Sequence, residues 1–185
     1  MAASRVRSTS TKTGLITSYG LFWRVEEPGL DKKRRLSLFG WQGRGRDLRL
    51  ADFSHQRGIY ILYGRYGPHY VGLAGKDSLG SRLVRHLSEK AHKDYWDRFS
   101  WFGFRRILAE KDGKGRYLLD ESVAGADPIE GVSSRRAIRD IEAMMINGFG
   151  LHNVRPGLFF DATEWFHVPL ANLDEYKRKA GELVT

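Results

Sequence analysis

The sequence predicts an α/β (α+β) fold, a small central mixed or antiparallel sheet flanked by helices, on three observations. Two apolar, β-branched and aromatic runs, 58–63 and 69–74, are joined by Gly64, Arg65, Tyr66, Gly67 and Pro68, the pattern of a short hairpin. Two later segments repeat apolar residues at helical spacing behind capping residues. The 185 residues, 41% hydrophobic and 12% aromatic, suffice for one folded domain with a sizeable core. By range, the expectation is a disordered tail over 1–14, a basic extension over 15–57, a core over 58–160, and a strand and helix over 161–185 that complete the same domain.

In order, the first dozen residues are rich in Ser, Thr, Arg and Lys and offer nothing to anchor them. Leu21–Val25 and Leu36–Trp41 read as strands separated by Pro28, Gly29 and the run Lys32, Lys33, Arg34, Arg35, together a basic N-terminal hairpin. Residues 40–49, with Gly43, Arg44, Gly45 and Arg46, read as a cationic loop. In the hairpin that follows, strand alternation puts Tyr60 and Leu62 on one face and Ile59, Ile61 and Tyr63 on the other. Tyr70 and Gly72 share a face likewise, so two phenols approach each other where those faces coincide.

Asp77 or Ser78 caps a helix running to about Lys90, with Leu79, Leu83, Val84 and Leu87 as its buried stripe. At about 100° per residue, Arg82 and His86 fall together at one border of that stripe. A third strand is expected over 99–108, then a polar connection over 110–131. Ser133 or Ser134 caps a second helix with Ala137, Ile138, Ile141, Met144 and Met145 inward, Glu142 at the edge of its apolar face, and Gly148 or Gly150 near its end. Asn153 precedes a turn at Arg155, Pro156 and Gly157; a final strand within 158–168 and a polar helix over 172–183 close the chain.

The formal net charge is +9. Residues 1–57 hold 12 Lys or Arg against 5 Asp or Glu, residues 58–110 hold 9 against 5, and the remainder 10 against 12, so the excess lies in the front two thirds. Such a distribution suits a polyanion, whose displaced counterions drive salt-sensitive binding; a solubilising surface is the alternative. No stretch approaches the roughly 18–20 apolar residues of a membrane helix, and no secretory signal opens the chain, which predicts a cytoplasmic protein without a membrane partner. Zero cysteines exclude disulfides and thiolate metal sites.

Gly58-Ile59-Tyr60, Tyr70-Val71-Gly72, Arg82 with His86 four residues on, Glu142 and Asn153 occur in that order over about half the chain. The series resembles the GIY-YIG nuclease family, with Val71 where that family usually carries Ile. The resemblance implies a GIY-YIG-like core and a DNA endonuclease using Mg²⁺ (or Mn²⁺), with RNA not excluded as substrate. It implies Glu142 as metal ligand, Arg82 as phosphate clamp, Tyr60 as leading candidate base, and Tyr70 and His86 as helpers around the attacking water. Gly58, Gly72 and Asn153 would brace the site.

The residue types fit such chemistry. A guanidinium pairs with two phosphate oxygens and stays charged. Mg²⁺ often needs only one or two protein carboxylates. A phenol with an ordinary pKa near 10 is ionised about once in a thousand at pH 7, so a relay is expected, with either Tyr60 or His86 as final proton acceptor. Lys32, Lys33, Arg34, Arg35, Arg44 and Arg46 are the candidate nucleic-acid contacts. Phe22, Trp23, Phe39 and Trp41 interleave with the basic groups and either stack bases or pack against the sheet, the second being preferred. Two further readings are a catalytically silent nucleic-acid-binding module and a nuclease subunit of a restriction or defence assembly that is active only with a partner; a protein partner or a homodimer is compatible with either.

Overall fold

The computed structural model describes residues 14–24, 36, 38–75, 77–88, 95–121, 134–150, 158–159 and 161–181. Strands β1 (Ser18–Arg24), β2 (Phe39–Gln42), β3 (Arg49–Asp52), β4 (Gly58–Gly64) and β5 (Gly67–Ala74) precede helix α1 (Leu79–Ser88). Then come β6 (Arg98–Gly103), β7 (Ile107–Lys111), β8 (Tyr117–Leu119), α2 (Ser134–Phe149), β9 (Thr163–Glu164), β10 (Phe166–His167) and α3 (Leu173–Lys179). The fold is mixed α+β: one sheet in the order β5-β4-β6-β1-β9 and a second in the order β10-β2-β3-β8-β7. Each combines antiparallel pairs with one parallel pair, β1 with β9 and β3 with β8.

The predicted strand pair forms around a two-residue turn, Arg65 and Tyr66, with Gly67 at φ 113°, a left-handed value that glycine reaches without strain. Tyr60 pairs with Gly72 and Leu62 with Tyr70, and a register shift follows at Leu62/Tyr63. Helix α1 lies over the Tyr60 face, where Leu79 and Leu83 join a core of Trp23, Phe53, Tyr60, Leu62, Phe99, Trp101 and Trp165. A smaller cluster of Ile16, Ile61, Tyr63 and Phe102 packs on the opposite face.

The expected N-terminal hairpin is corrected. Among the described residues β1 pairs with β6 and β9, while β2 pairs with β3 and β10 in the other sheet. The physical reason is Trp23, only 2% exposed and set edge-on to Phe53, Phe99 and Trp101. A free hairpin would leave that ring in water, whereas insertion beside β6 buries it. Trp41 likewise packs, against Phe166 and Tyr176.

The single strand expected over 99–108 is divided into β6 and β7. Thr17 Oγ1 donates to the carbonyls of Gly103 and Arg105, and Gln56 both donates to the Arg105 carbonyl and accepts from the Arg105 amide. These bonds replace ladder bonds and let the chain leave one sheet for the other. The connection expected over 110–131 contains the end of β7 and all of β8; residues 122–133 lie outside the described residues, as do 1–13 and 25–35.

Helix α2 forms where the spacing places it, but a different side faces inward. Asp140 and Ala143 are buried and Met144 half-buried, whereas Ile141 and Met145 are exposed. Asp140 Oδ2 accepts the amides of Leu15 at 2.6 Å and Ile16 at 3.1 Å, so backbone donors on the N-terminal segment hold this polar residue inside. The closing helix forms as α3, with Asp174 and Glu175 in its first turn and Lys177, Arg178 and Lys179 in its last, the sense that suits the helix dipole.

Candidate active site

The hairpin and α1 bring four of the expected site residues together. Tyr60 and Tyr70 rings lie 6.1 Å apart between centroids, and His86 lies 5.7 Å from Tyr60 and 4.8 Å from Tyr70. Tyr60 Oη is 2.8 Å from His86 Nε2. Glycine at position 72 makes this possible, because a Cβ there would overlap Tyr60 Cζ and Oη. Gly58 answers a different need: its φ is 151°, and a Cβ would overlap the Phe102 carbonyl of β6.

On α1, Ser78 takes the capping position, its Oγ accepting the Ser81 amide at 3.4 Å. The apolar stripe of Leu79 and Leu83 draws His86 inward to 4% exposure, and Arg82 stays at the rim with 24% of its side chain exposed. Burial raises the Tyr60 pKa, and a hydrogen bond and charge from Arg82 oppose that rise without cancelling it. Arg82 is itself raised, chiefly by its hydrogen bond to Tyr60. Tyr60 therefore remains a neutral phenol. A guanidinium can only donate, so it occupies a Tyr60 lone pair, while the same hydroxyl is also hydrogen-bonded to Tyr70 and shares a bond with His86 Nε2 whose donor is set by the imidazole tautomer.

Arg82 also has donor capacity to spare: its Nε is buried with no hydrogen-bond partner among the described residues. Asp77, which the sequence reading treats only as a capping residue, stands 3.8 Å from Arg82 Nη1 and 3.0 Å from Arg85 Nη2. The cluster thus offers a guanidinium at its mouth and a buried phenol–imidazole pair behind it. Such a set can grip a phosphate and pass a proton inward.

Glu142 is not brought into this cluster. Helix α2 covers the opposite face of the sheet, where Met144 packs near Ile61, Tyr63 and Phe102 and the Gly148 carbonyl accepts the Tyr63 hydroxyl. Glu142 is exposed, about 200° round the helix from the buried Asp140 at about 100° per residue. Its expected position beside the buried stripe is corrected accordingly. Asn153, Lys32, Lys33, Arg34 and Arg35 lie outside the described residues; Arg44 and Arg46 are exposed beside and within a short 3-10 turn over Gly45–Asp47.

A hard divalent cation takes oxygen ligands, carboxylates above all. Two phenols, an imidazole and a guanidinium do not fit Mg²⁺ or Mn²⁺ by themselves, and the neighbouring Asp77 is engaged with two arginines. No group of three or more His, Cys, Asp or Glu among the described residues is arranged to hold a metal.

Fold and cluster define the class, an α+β protein with a phenol–imidazole–guanidinium site on a hairpin and its following helix. No family model, curated protein or solved structure matches the chain.

Proposed function

We propose that this chain hydrolyses phosphodiester bonds of nucleic acid, DNA foremost, in keeping with its resemblance to GIY-YIG nucleases. The observation that carries the reading is the convergence of Tyr60, Tyr70, Arg82 and His86 from one hairpin and one helix, with the Arg82 side chain at the rim and its buried Nε unspent. In this reading a substrate phosphate draws Arg82 away from Tyr60 and takes up its free Nε. Charge developing on the phosphate oxygens is then met by a group that cannot lose its proton. The freed Tyr60 lone pair accepts from the attacking water, and the phenol passes its own proton to His86 Nε2. Proton exchange between water, phenol and imidazole leaves Tyr60 neutral, consistent with its raised pKa; the water oxygen bonds to phosphorus as the P–O bond to the leaving sugar oxygen breaks, and that oxygen takes its proton from solvent. Tyr70 closes the side of the pocket and orients the water.

A divalent cation held by Glu142 remains part of the proposal from the resemblance, but no step above passes through one. The outward position of Glu142 favours a second reading, a module that binds nucleic acid without cutting it. Plasmid cleavage with Mg²⁺ or Mn²⁺ separates the two. Wild type is expected to cut, with Arg82→Ala and Tyr60→Phe each slowed about a hundredfold or more. Equal cutting by all three eliminates the site; salt-sensitive binding without turnover under either ion establishes the second reading. Glu142→Ala decides the carboxylate: lost cutting means that α2 presents its outer side to bound substrate, and retained cutting removes Glu142 from the reaction.

A further inference from the structure

Three side chains from separate elements of the fold share an anomaly. Gln42 Oε1, Arg49 Nε and Trp165 Nε1 are each buried without a hydrogen-bond partner among the described residues. All three line a single cavity of about 250 Å³, with Arg106, Asp161 and Thr163 also on its wall. The cavity lies where the chain passes between the two sheets: Gln42 ends β2, Arg49 begins β3, Arg106 joins β6 to β7, and Trp165 joins β9 to β10. It shares no residue with Tyr60, Tyr70, Arg82 or His86.

The walls hold these groups in place. Trp165 is 1% exposed, its backbone carbonyl accepts from Trp23 Nε1 at 3.1 Å, and its ring meets Phe53 edge-on at 5.1 Å. The Arg49 guanidinium lies 4.2 Å over the Tyr117 ring and 5.6 Å from the Trp165 ring. Stacking of this kind fixes the guanidinium plane and uses none of its N–H donors. Arg106 supplies a second guanidinium. Asp161 is the opposing charge, and its Oδ2 already accepts the Gly14 amide at 3.0 Å. The lining therefore has surplus positive charge, two unspent donors and one amide oxygen that needs a donor.

We propose that this cavity binds one nucleotide unit, with its phosphate on Arg49 and Arg106 and a sugar hydroxyl or base amino group donating to Gln42 Oε1. Two guanidinium groups select an oxyanion. The unpaired acceptor beside them selects a ligand that also carries a donor, and the space exceeds what a bare phosphate fills. At 250 Å³ the cavity is slightly below the roughly 300–1,000 Å³ of small-molecule sites, a size for one nucleotide and not for two. A free mononucleotide and a residue of a bound strand present the same chemistry. The inference goes beyond the proposed cleavage site and stands without it.

Calorimetric titration of the full chain tests the proposal with thymidine 5′-monophosphate, thymidine, inorganic phosphate and an oligothymidylate strand. The monophosphate is expected to bind saturably, and thymidine and phosphate each about tenfold or more weakly. Arg49→Gln and Gln42→Leu should each weaken the monophosphate about tenfold while keeping the circular dichroism spectrum of the wild type. Tyr60→Phe should bind it as wild type does, so loss of the cleavage reading leaves this result standing. Displacement of bound monophosphate by the strand identifies a strand residue as occupant, and simultaneous binding identifies a free nucleotide. No saturable binding by wild type, or undiminished binding by both cavity variants, overturns the proposal.

Discussion

Gly72→Ala isolates the geometric requirement of the phenol site. Gly72 is not among the residues with positive φ, so alanine fits the backbone and would by itself stabilise by about 0.4–1 kcal/mol through the unfolded state. The added methyl instead overlaps Cζ and Oη of Tyr60, a residue with 0% exposure whose hydroxyl is 2.8 Å from His86. Tyr60 has core side chains around it and cannot swing into solvent, so the clash must be absorbed by strain. Overpacking of this kind costs about 1–3 kcal/mol, and at roughly 2–4 °C per kcal/mol for a chain of this size the midpoint should fall by about 2–12 °C. Thermal and urea unfolding followed by circular dichroism measure it. A double-mutant cycle with Tyr60→Phe should show coupling of at least about 0.5 kcal/mol, since the two positions touch. A Gly72→Ala protein as stable as wild type, or strict additivity in the cycle, refutes the reasoning.

Asp140→Ala leaves the Leu15 and Ile16 amides without their acceptor and is expected to cost about 2–3 kcal/mol; an unchanged urea midpoint would contradict it. Burial pushes Tyr19 up to about 12 and raises Tyr60 and Tyr63 above the ordinary phenol value. Because the folded values exceed the unfolded one, near about 10, the stabilisation they give is complete below that pH and is lost as pH climbs through the folded values. A phenolate absorbance titration should therefore show late ionisation above the ordinary phenol range, removed in part by Tyr19→Phe, with stability falling over the same range; a titration complete at the ordinary phenol value with no stability change would rule this out. Binding to a DNA duplex should weaken steeply with salt, and replacing Arg44 and Arg46, both exposed, should lower the log–log slope by up to about 2. An unchanged slope removes both from the interface.

Local pattern made much of the fold legible. The hairpin at 58–74, α1, α2 and α3 fall where turn residues, caps and periodicity put them, since each signal is held within a few neighbouring residues. Alternation along β4 and β5 placed Tyr60, Tyr70 and Gly72 on one face, and α1 periodicity set Arg82 beside His86. The failures share one cause. Leu21–Val25 and Leu36–Trp41 look like a hairpin because they are adjacent in sequence, yet sheet partners are chosen by which surface buries Trp23. Periodicity on α2 pointed Ile141 and Met145 inward, but backbone amides at Leu15 and Ile16 capture Asp140 and turn the helix.

By itself, then, the sequence determined the α+β class, the hairpin and helix that gather Tyr60, Tyr70, Arg82 and His86, and the cationic front of the chain. Tertiary structure alone decided the two-sheet arrangement, the face that α2 turns to the sheet, the outward position of Glu142, and the polar cavity between the sheets. The division follows the range of the forces: spacing along one element is written in consecutive residues, whereas burial of large rings and satisfaction of distant backbone donors are settled only when segments far apart in sequence compete for the same space.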